Sequence, residues 1–220
     1  MTRQLIAALA LGLLGLCGAL PGERGPDALV CAGWVALIAL PAGIASGALA
    51  LRPWPFAAAV PALWMIELGV VTTLSERELP TPIWAALVWT GMYAAGFGLA
   101  RAWTLEPLRA AALALVVVAL LAGLPSLGAR TGRAFPPWLS ARLIDLSPLS
   151  VCLESAGVDW MRHPALYEPA GTLDIDPGMR EPYRGRLAGP ALLLVGCLLA
   201  AAGEWLARRR AGLQGPAAES

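Results

Sequence analysis

Glu67 is the residue whose type and setting most suggest chemistry. It stands in Trp64-Met65-Ile66-Glu67-Leu68-Gly69, inside a long apolar stretch. A carboxylate at the centre of a membrane helix costs about 2.5–3.5 kcal/mol on the insertion scale, so such residues face the bundle interior and mark ion or substrate paths. A following helix running back would bring Thr90 to the depth of Glu67 and Tyr93 slightly deeper, so these three form a candidate intramembrane polar site. The plainest role is interhelical glue, worth around 0.6 kcal/mol per bond. On that role Glu67→Gln is tolerated and Glu67→Leu weakens the bundle. A proton or ion path, and pairing with another subunit, are the other two.

His163 is the only histidine, so any imidazole chemistry must use it. It follows Asp159 by one helical turn in Asp159-Trp160-Met161-Arg162-His163-Pro164, the spacing at which an acid orients an imidazole on a shared face. Ser147, Ser150 and Ser155 are nearby nucleophile candidates. Asp159 and His163 are therefore the candidate catalytic pair. No nucleophile elbow and no two-histidine metal pattern accompany them, and a histidine bonded to local backbone is the plainer reading. Asp174 and Asp176 alternate as in a calcium loop, but the third acid and the glycine spacing are missing. Asp176-Pro177-Gly178 is a turn. No metal and no cofactor is expected. There is no lysine and no glycine-rich phosphate loop opening a helix, so nucleotide chemistry has no place.

The cysteines are Cys17, Cys31, Cys152 and Cys197. The first two fall near the outer face of the layout described below and Cys152 outside it, where a disulfide is chemically allowed. Cys197 reads as packing. Gly43 and Gly47 form a GxxxG, and Gly196 with Ala200 a second small-xxx-small pair. Both spacings let helix backbones approach closely.

These residues are carried by an unusual chain. Of 220 residues, 58% are hydrophobic and 14% charged, against about 25% charged in a soluble domain. The formal net charge of +1 excludes a basic nucleic-acid binder and an acidic disordered protein. Long uncharged runs separate short charged ones, which reads as an integral membrane protein. A span needs roughly 20 apolar residues to cross about 30 Å. Six stretches qualify: 5–20, 28–51, 56–74, 83–100, 108–127 and 187–207. The first is read as a retained helix, with a cleaved leader ending near Cys17-Gly18-Ala19 as the alternative.

Orientation follows arginine in short loops. With a cytoplasmic N-terminus, Arg3, Arg52, Arg101, Arg109, Arg208, Arg209 and Arg210 lie inside, against Arg24 and Arg77 outside. The expected fold is all-α: five transmembrane helices over 1–127, an extracytoplasmic segment over 128–186, a sixth transmembrane helix at 187–207 and a cytoplasmic tail at 208–220. Within the outer segment Ser147 is a natural N-cap, Pro148 suits the first helical position and His163-Pro164 is a stop, so an amphipathic helix is expected over 147–163. It would lie on the outer interface or cap the bundle, with Gly157 as its weak point.

Six spans with both ends inside and the largest outer loop before the last helix is similar in layout to ABC-2-type permeases, although no motif accompanies the layout. The expected function is a membrane subunit of a transport or other multi-subunit complex in a bacterial inner membrane, with the lipid bilayer and partner subunits as its contacts and no nucleic acid. The alternative is a membrane enzyme acting on a lipid or lipid-linked substrate at the outer face. The arginine-only, alanine-rich composition fits a GC-rich bacterial genome.

Overall fold

The computed structural model describes residues 2–15, 17, 27–49, 54–75, 79–103, 106–130, 136–158 and 184–213. Among them every regular element is helical: α1 (Thr2–Leu13), α2 (Ala28–Ala48), α3 (Trp54–Leu74), α4 (Pro82–Ala102), α5 (Pro107–Arg130), α6 (Pro137–Leu146), α7 (Pro148–Ser155) and α8 (Gly185–Leu213). Three of these helices, α2, α4 and α8, are long and apolar enough to cross a membrane.

The helix starts follow from local chemistry. α4, α5, α6 and α7 each begin on a proline, whose missing N–H would be unsatisfied there in any case and whose fixed φ suits the first turn. α2 begins instead behind Asp27, whose carboxylate accepts from the N–H groups of Leu29 at 2.8 Å and Val30 at 3.4 Å. That is the N-cap bond that satisfies otherwise orphaned donors. Pro41 and Pro61 sit inside α2 and α3, and Pro190 inside α8.

α4 is the hub. It lies between α2 and α8, and both contacts are made backbone to backbone through glycine. A Cβ on Gly43 would collide with the Tyr93 carbonyl, one on Gly47 with the Phe97 carbonyl, and one on Gly96 with the Leu40 carbonyl. On the other side Gly196 lies on the Gly91 carbonyl and Gly203 on that of Gly98, while Gly91 and Gly98 press on Leu192 and Leu199. Residue numbers rise together along both interfaces, so α2, α4 and α8 are parallel. α1 runs parallel to α3 by the same reasoning, since Gly12 meets Leu63 and Gly15 meets Trp64 and Glu67. α3 is antiparallel to α2: Ser75, just past its end, accepts from the N–H of Ala28 at the start of α2.

One expectation changes here and another is met only in part. The first span, expected over 5–20, is described only in part: α1 covers Thr2–Leu13, Cys17 is helical, and residues 16 and 18–20 lie outside the described residues. Carbonyls around the end of α1 are taken by indoles, Gly12 by Trp64 Nε1 at 3.1 Å and Leu14 by Trp34 Nε1 at 2.8 Å. The helix expected over 147–163 ends at Ser155. Ala156 caps it and Gly157 follows at φ +85, a left-handed conformation that glycine adopts without a Cβ penalty. Nor does α7 present one apolar stripe to an interface. Ser150, Cys152, Leu153 and Ser155 are all buried, because the helix is inserted among the starts of three others. Leu149 meets Gly33 of α2, the Ala156 carbonyl accepts from the Thr81 hydroxyl at 2.8 Å beside α4, and the Ser155 carbonyl meets Gly185 of α8.

Candidate intramembrane polar site

Glu67 is set on α3 one turn after Trp64, and its position is defined by α1. Trp64 is wholly buried, so the α3 face that carries both residues points inward. Gly15, two residues past the end of α1, meets that face, and a Cβ there would collide with Glu67 Oε2. The small residue is what lets the carboxyl lie between the two helices. Glu67 is buried, and among the described residues its Oε2 has no hydrogen-bond partner, Thr90 included. A buried carboxyl oxygen without a donor is costly, and such atoms are rare in folded proteins.

The other two residues of the expected site are engaged elsewhere. Tyr93 of α4 is buried and donates its hydroxyl proton to Ser46 Oγ of α2 at 2.7 Å. Its ring stands edge-on to Trp64, with centroids 5.7 Å apart and planes at 89°, a favoured quadrupolar arrangement. Tyr93 therefore reaches α3 through the Trp64 ring. Thr90 is half-buried on α4 beside Trp89. Trp89 is completely buried and its Nε1 also lacks a partner. Ser46, which sequence reasoning missed, is a small polar residue inside an apolar helix. Its place between Gly43 and Gly47 was the available signal, since close backbones bring short side chains within reach.

Cys31 of α2 lies within electrostatic range of both Glu67 and Cys152. Cys152 on α7 is fully buried, donates weakly to the Ala32 carbonyl at 3.7 Å, and has its thiol pushed up to about 12, first by burial and then by the neighbouring Cys31. Both cysteines are free thiols, as are Cys17 and Cys197. Cys197, expected to be packed, is exposed on α8, because the glycine face of that helix is the one turned to α4.

Asp159 and His163 lie outside the described residues, as do Asp174, Asp176 and Glu181. Ser147, Ser150 and Ser155 are buried, and among the described residues their hydroxyls have no partner. Among the described residues no three His, Cys, Asp or Glu side chains converge on a point that could hold a metal ion. Gly43 and Gly47 of α2 and Gly196 of α8 all pack against α4, and Ala200 is buried near Phe97.

The far end of the bundle carries a second polar feature absent from sequence reasoning. Arg101 of α4 donates from Nε to Glu204 of α8 at 2.9 Å, with side chains 12% and 15% exposed. Arg208 shares the same carboxylate at 3.2 Å, and Arg210 donates to the Ala102 carbonyl at 2.6 Å. Comparison with protein-family models, with curated proteins and with solved structures finds no match to this chain.

Proposed function

We propose that the chain is a multi-pass protein of a bacterial inner membrane and serves as a membrane subunit of a transport or other multi-subunit complex. Six helices cross, both termini are cytoplasmic, and residues 128–186 lie outside. The observation that carries the subunit reading is Glu67. Intramembrane acids are retained where they do something, and among the described residues none donates to Oε2 of this one. On this reading, what completes it is supplied from outside the chain: a proton, an ion or the polar group of another subunit.

The parallel run of α2, α4 and α8 supports the topology. If three helices cross in the same direction, the chain must return between them. α3 returns between α2 and α4, and α5 between α4 and α8, with the first span, which begins in α1, as the remaining crossing. The arginine asymmetry favours a cytoplasmic side for the end with Arg101, Arg109 and Arg208 to Arg210, with α7 at the outer end. The alternative enzyme at the outer face rests on Asp159 and His163, and nothing in the described residues favours it.

Two measurements test the proposal. In intact cells, single cysteines in a cysteine-free background should react with a membrane-impermeant thiol reagent at Ala170 and not at Thr104; the reverse pattern overturns the topology. After extraction in a mild detergent, the native mass should exceed that of the 22.8 kDa chain by a stoichiometric partner, and Glu67→Gln should reduce that species. A lone chain in every mild detergent overturns the subunit reading.

A further inference from the structure

A cavity of about 280 Å³ opens between the ends of α2 and α4 and the start of α5, and every residue lining it is apolar. Leu40 and Ile44 form one wall, Leu99 and Trp103 the second, Leu113 and Val117 the third. Ala114 also lines it, and a larger side chain there would take up part of the space. Apolar cavities of even roughly 150 Å³ stay dry and take up hydrocarbon, so water is not the occupant. Leu113 and Trp103 are 65% and 61% exposed, so the cavity is open sideways, toward the acyl chains on the membrane reading given above.

Its mouth carries positive charge. Arg109, one residue before the lining residue Ala110, is 85% exposed and holds Glu106 at 2.9 Å. Arg210 reaches the Ala102 carbonyl, next to Trp103. Around this end stand Arg101, Arg109, Arg208, Arg209 and Arg210 against Glu106 and Glu204. Trp103 stands where an interfacial tryptophan belongs, with its ring in the groove and its helix end at the charged rim.

We propose that this groove binds one acyl chain of an anionic phospholipid from the cytoplasmic leaflet, with the phosphate held at Arg109 and Arg210. An apolar slot beneath a cluster of arginines matches both halves of such a molecule, whereas a zwitterionic lipid would leave the excess positive charge uncompensated. The inference rests on the membrane reading of the chain, and alkaline carbonate extraction checks that reading separately: the protein must remain in the membrane pellet.

The binding test uses the full chain in detergent micelles supplied with equal amounts of phosphatidylglycerol and phosphatidylcholine, read by native mass spectrometry. Wild-type protein should retain one phosphatidylglycerol at least fivefold over phosphatidylcholine. Arg109→Gln with Arg210→Gln should remove the preference while leaving lipid retention. Ala114→Trp should remove the retained lipid, and its unchanged melting temperature would show that the fold is intact; Ala110→Leu fills the same groove should Ala114→Trp fail to fold. Equal retention of the two lipids by wild type, or a preference that survives both the arginine and the groove-filling variants, overturns the proposal.

Discussion

Tyr93 gives its hydroxyl proton to Ser46 at 2.7 Å, and this bond joins α4 to α2 at the level where their glycines touch. Both residues are buried, so each is the other's means of avoiding an unsatisfied polar group. Tyr93→Phe and Ser46→Ala should each destabilise the protein, by roughly 1–3 kcal/mol for the group left unpaired. The double variant should cost less than the sum of the two. Interhelical bonds in membrane proteins couple by about 0.6 kcal/mol on average, and a cycle of thermal or denaturant unfolding in detergent would measure it. Strict additivity would show that the bond contributes nothing.

Glu67 should behave in the opposite sense. Among the described residues its Oε2 has no donor to lose, so replacing the carboxyl by an apolar group of similar length removes a desolvation cost. Glu67→Met should leave the isolated chain equally stable or stabilise it by up to about 3 kcal/mol, while assembly or transport falls. The sequence alone suggested that an apolar substitution would weaken the bundle; the missing partner reverses that expectation. Unfolding midpoints of the purified variant decide it, and a clear loss of stability would mean that the chain itself satisfies the carboxyl.

Backbone contact between α4 and α8 tolerates no side chain. Gly98→Val or Gly203→Val would drive a Cβ into the facing carbonyl. Overpacking commonly costs about 1–3 kcal/mol, and a rigid carbonyl as the obstacle puts these variants at the top of that range or beyond. A disulfide cross-link introduced between α4 and α8 in wild type should form poorly in either variant. Gly212, beyond the interface with nothing near its Cβ position, should accept alanine without loss.

Arg101, Glu204 and Arg208 form an asymmetric triad. Glu204 serves two arginines, at 2.9 Å and 3.2 Å. Glu204→Gln leaves the half-buried Arg101 without its anion and should cost roughly 1.5–3 kcal/mol. Arg101→Gln should cost less, because Arg208 still neutralises the carboxylate. Equal losses in unfolding experiments would show that the Arg208 contact is not formed in solution.

Cys152 should resist alkylation. Its thiol is pushed up to about 12 by burial, well above the ordinary value of 9.0. Because the folded-state value is raised, the associated stability is fully present below pH 9 and is lost as pH rises through about 12. Maleimide at pH 8 should modify the exposed Cys197 and spare Cys152 until the chain is denatured, as read by peptide mass. Labelling of both at the same rate would show that α7 is not seated among the helix starts.

Much of the scaffold was legible because membrane helices are written in composition. Uncharged runs bounded by Asp27, Arg101 and the arginines from 208 on correspond to α2, α4 and α8, and Pro148 marked the start of α7. Gly43 and Gly47 were visible through their four-residue spacing. The seven-residue spacing of Gly91 and Gly98, and of Gly196 and Gly203, was not, because in a glycine-rich chain it gains meaning only when both helices are seen facing each other. The candidate site was legible in one residue. Glu67 stood out by its cost, but its expected bond to Thr90 assumed that equal depth means contact. Depth fixes one coordinate; the rotation of α4 about its axis, set by its glycines, turned Tyr93 to Ser46 instead. The end of α7 at Ser155 was foreshadowed by Gly157.

The glycine seam between α4 and α8 also imposes an order on biogenesis. Arg101 and Glu204, which close that seam, are 103 residues apart. At synthesis rates of about 5–20 residues per second, α4 waits roughly 5–20 s before its partner exists. During that interval its bare backbone stripe faces lipid on one side while α2, already made, covers the other. The α2–α4 pair is thus the template, and α8 is a late addition that must find a preformed track. A ribosome stalled before residue 185 would leave that track open to any other small-faced helix in the same bilayer.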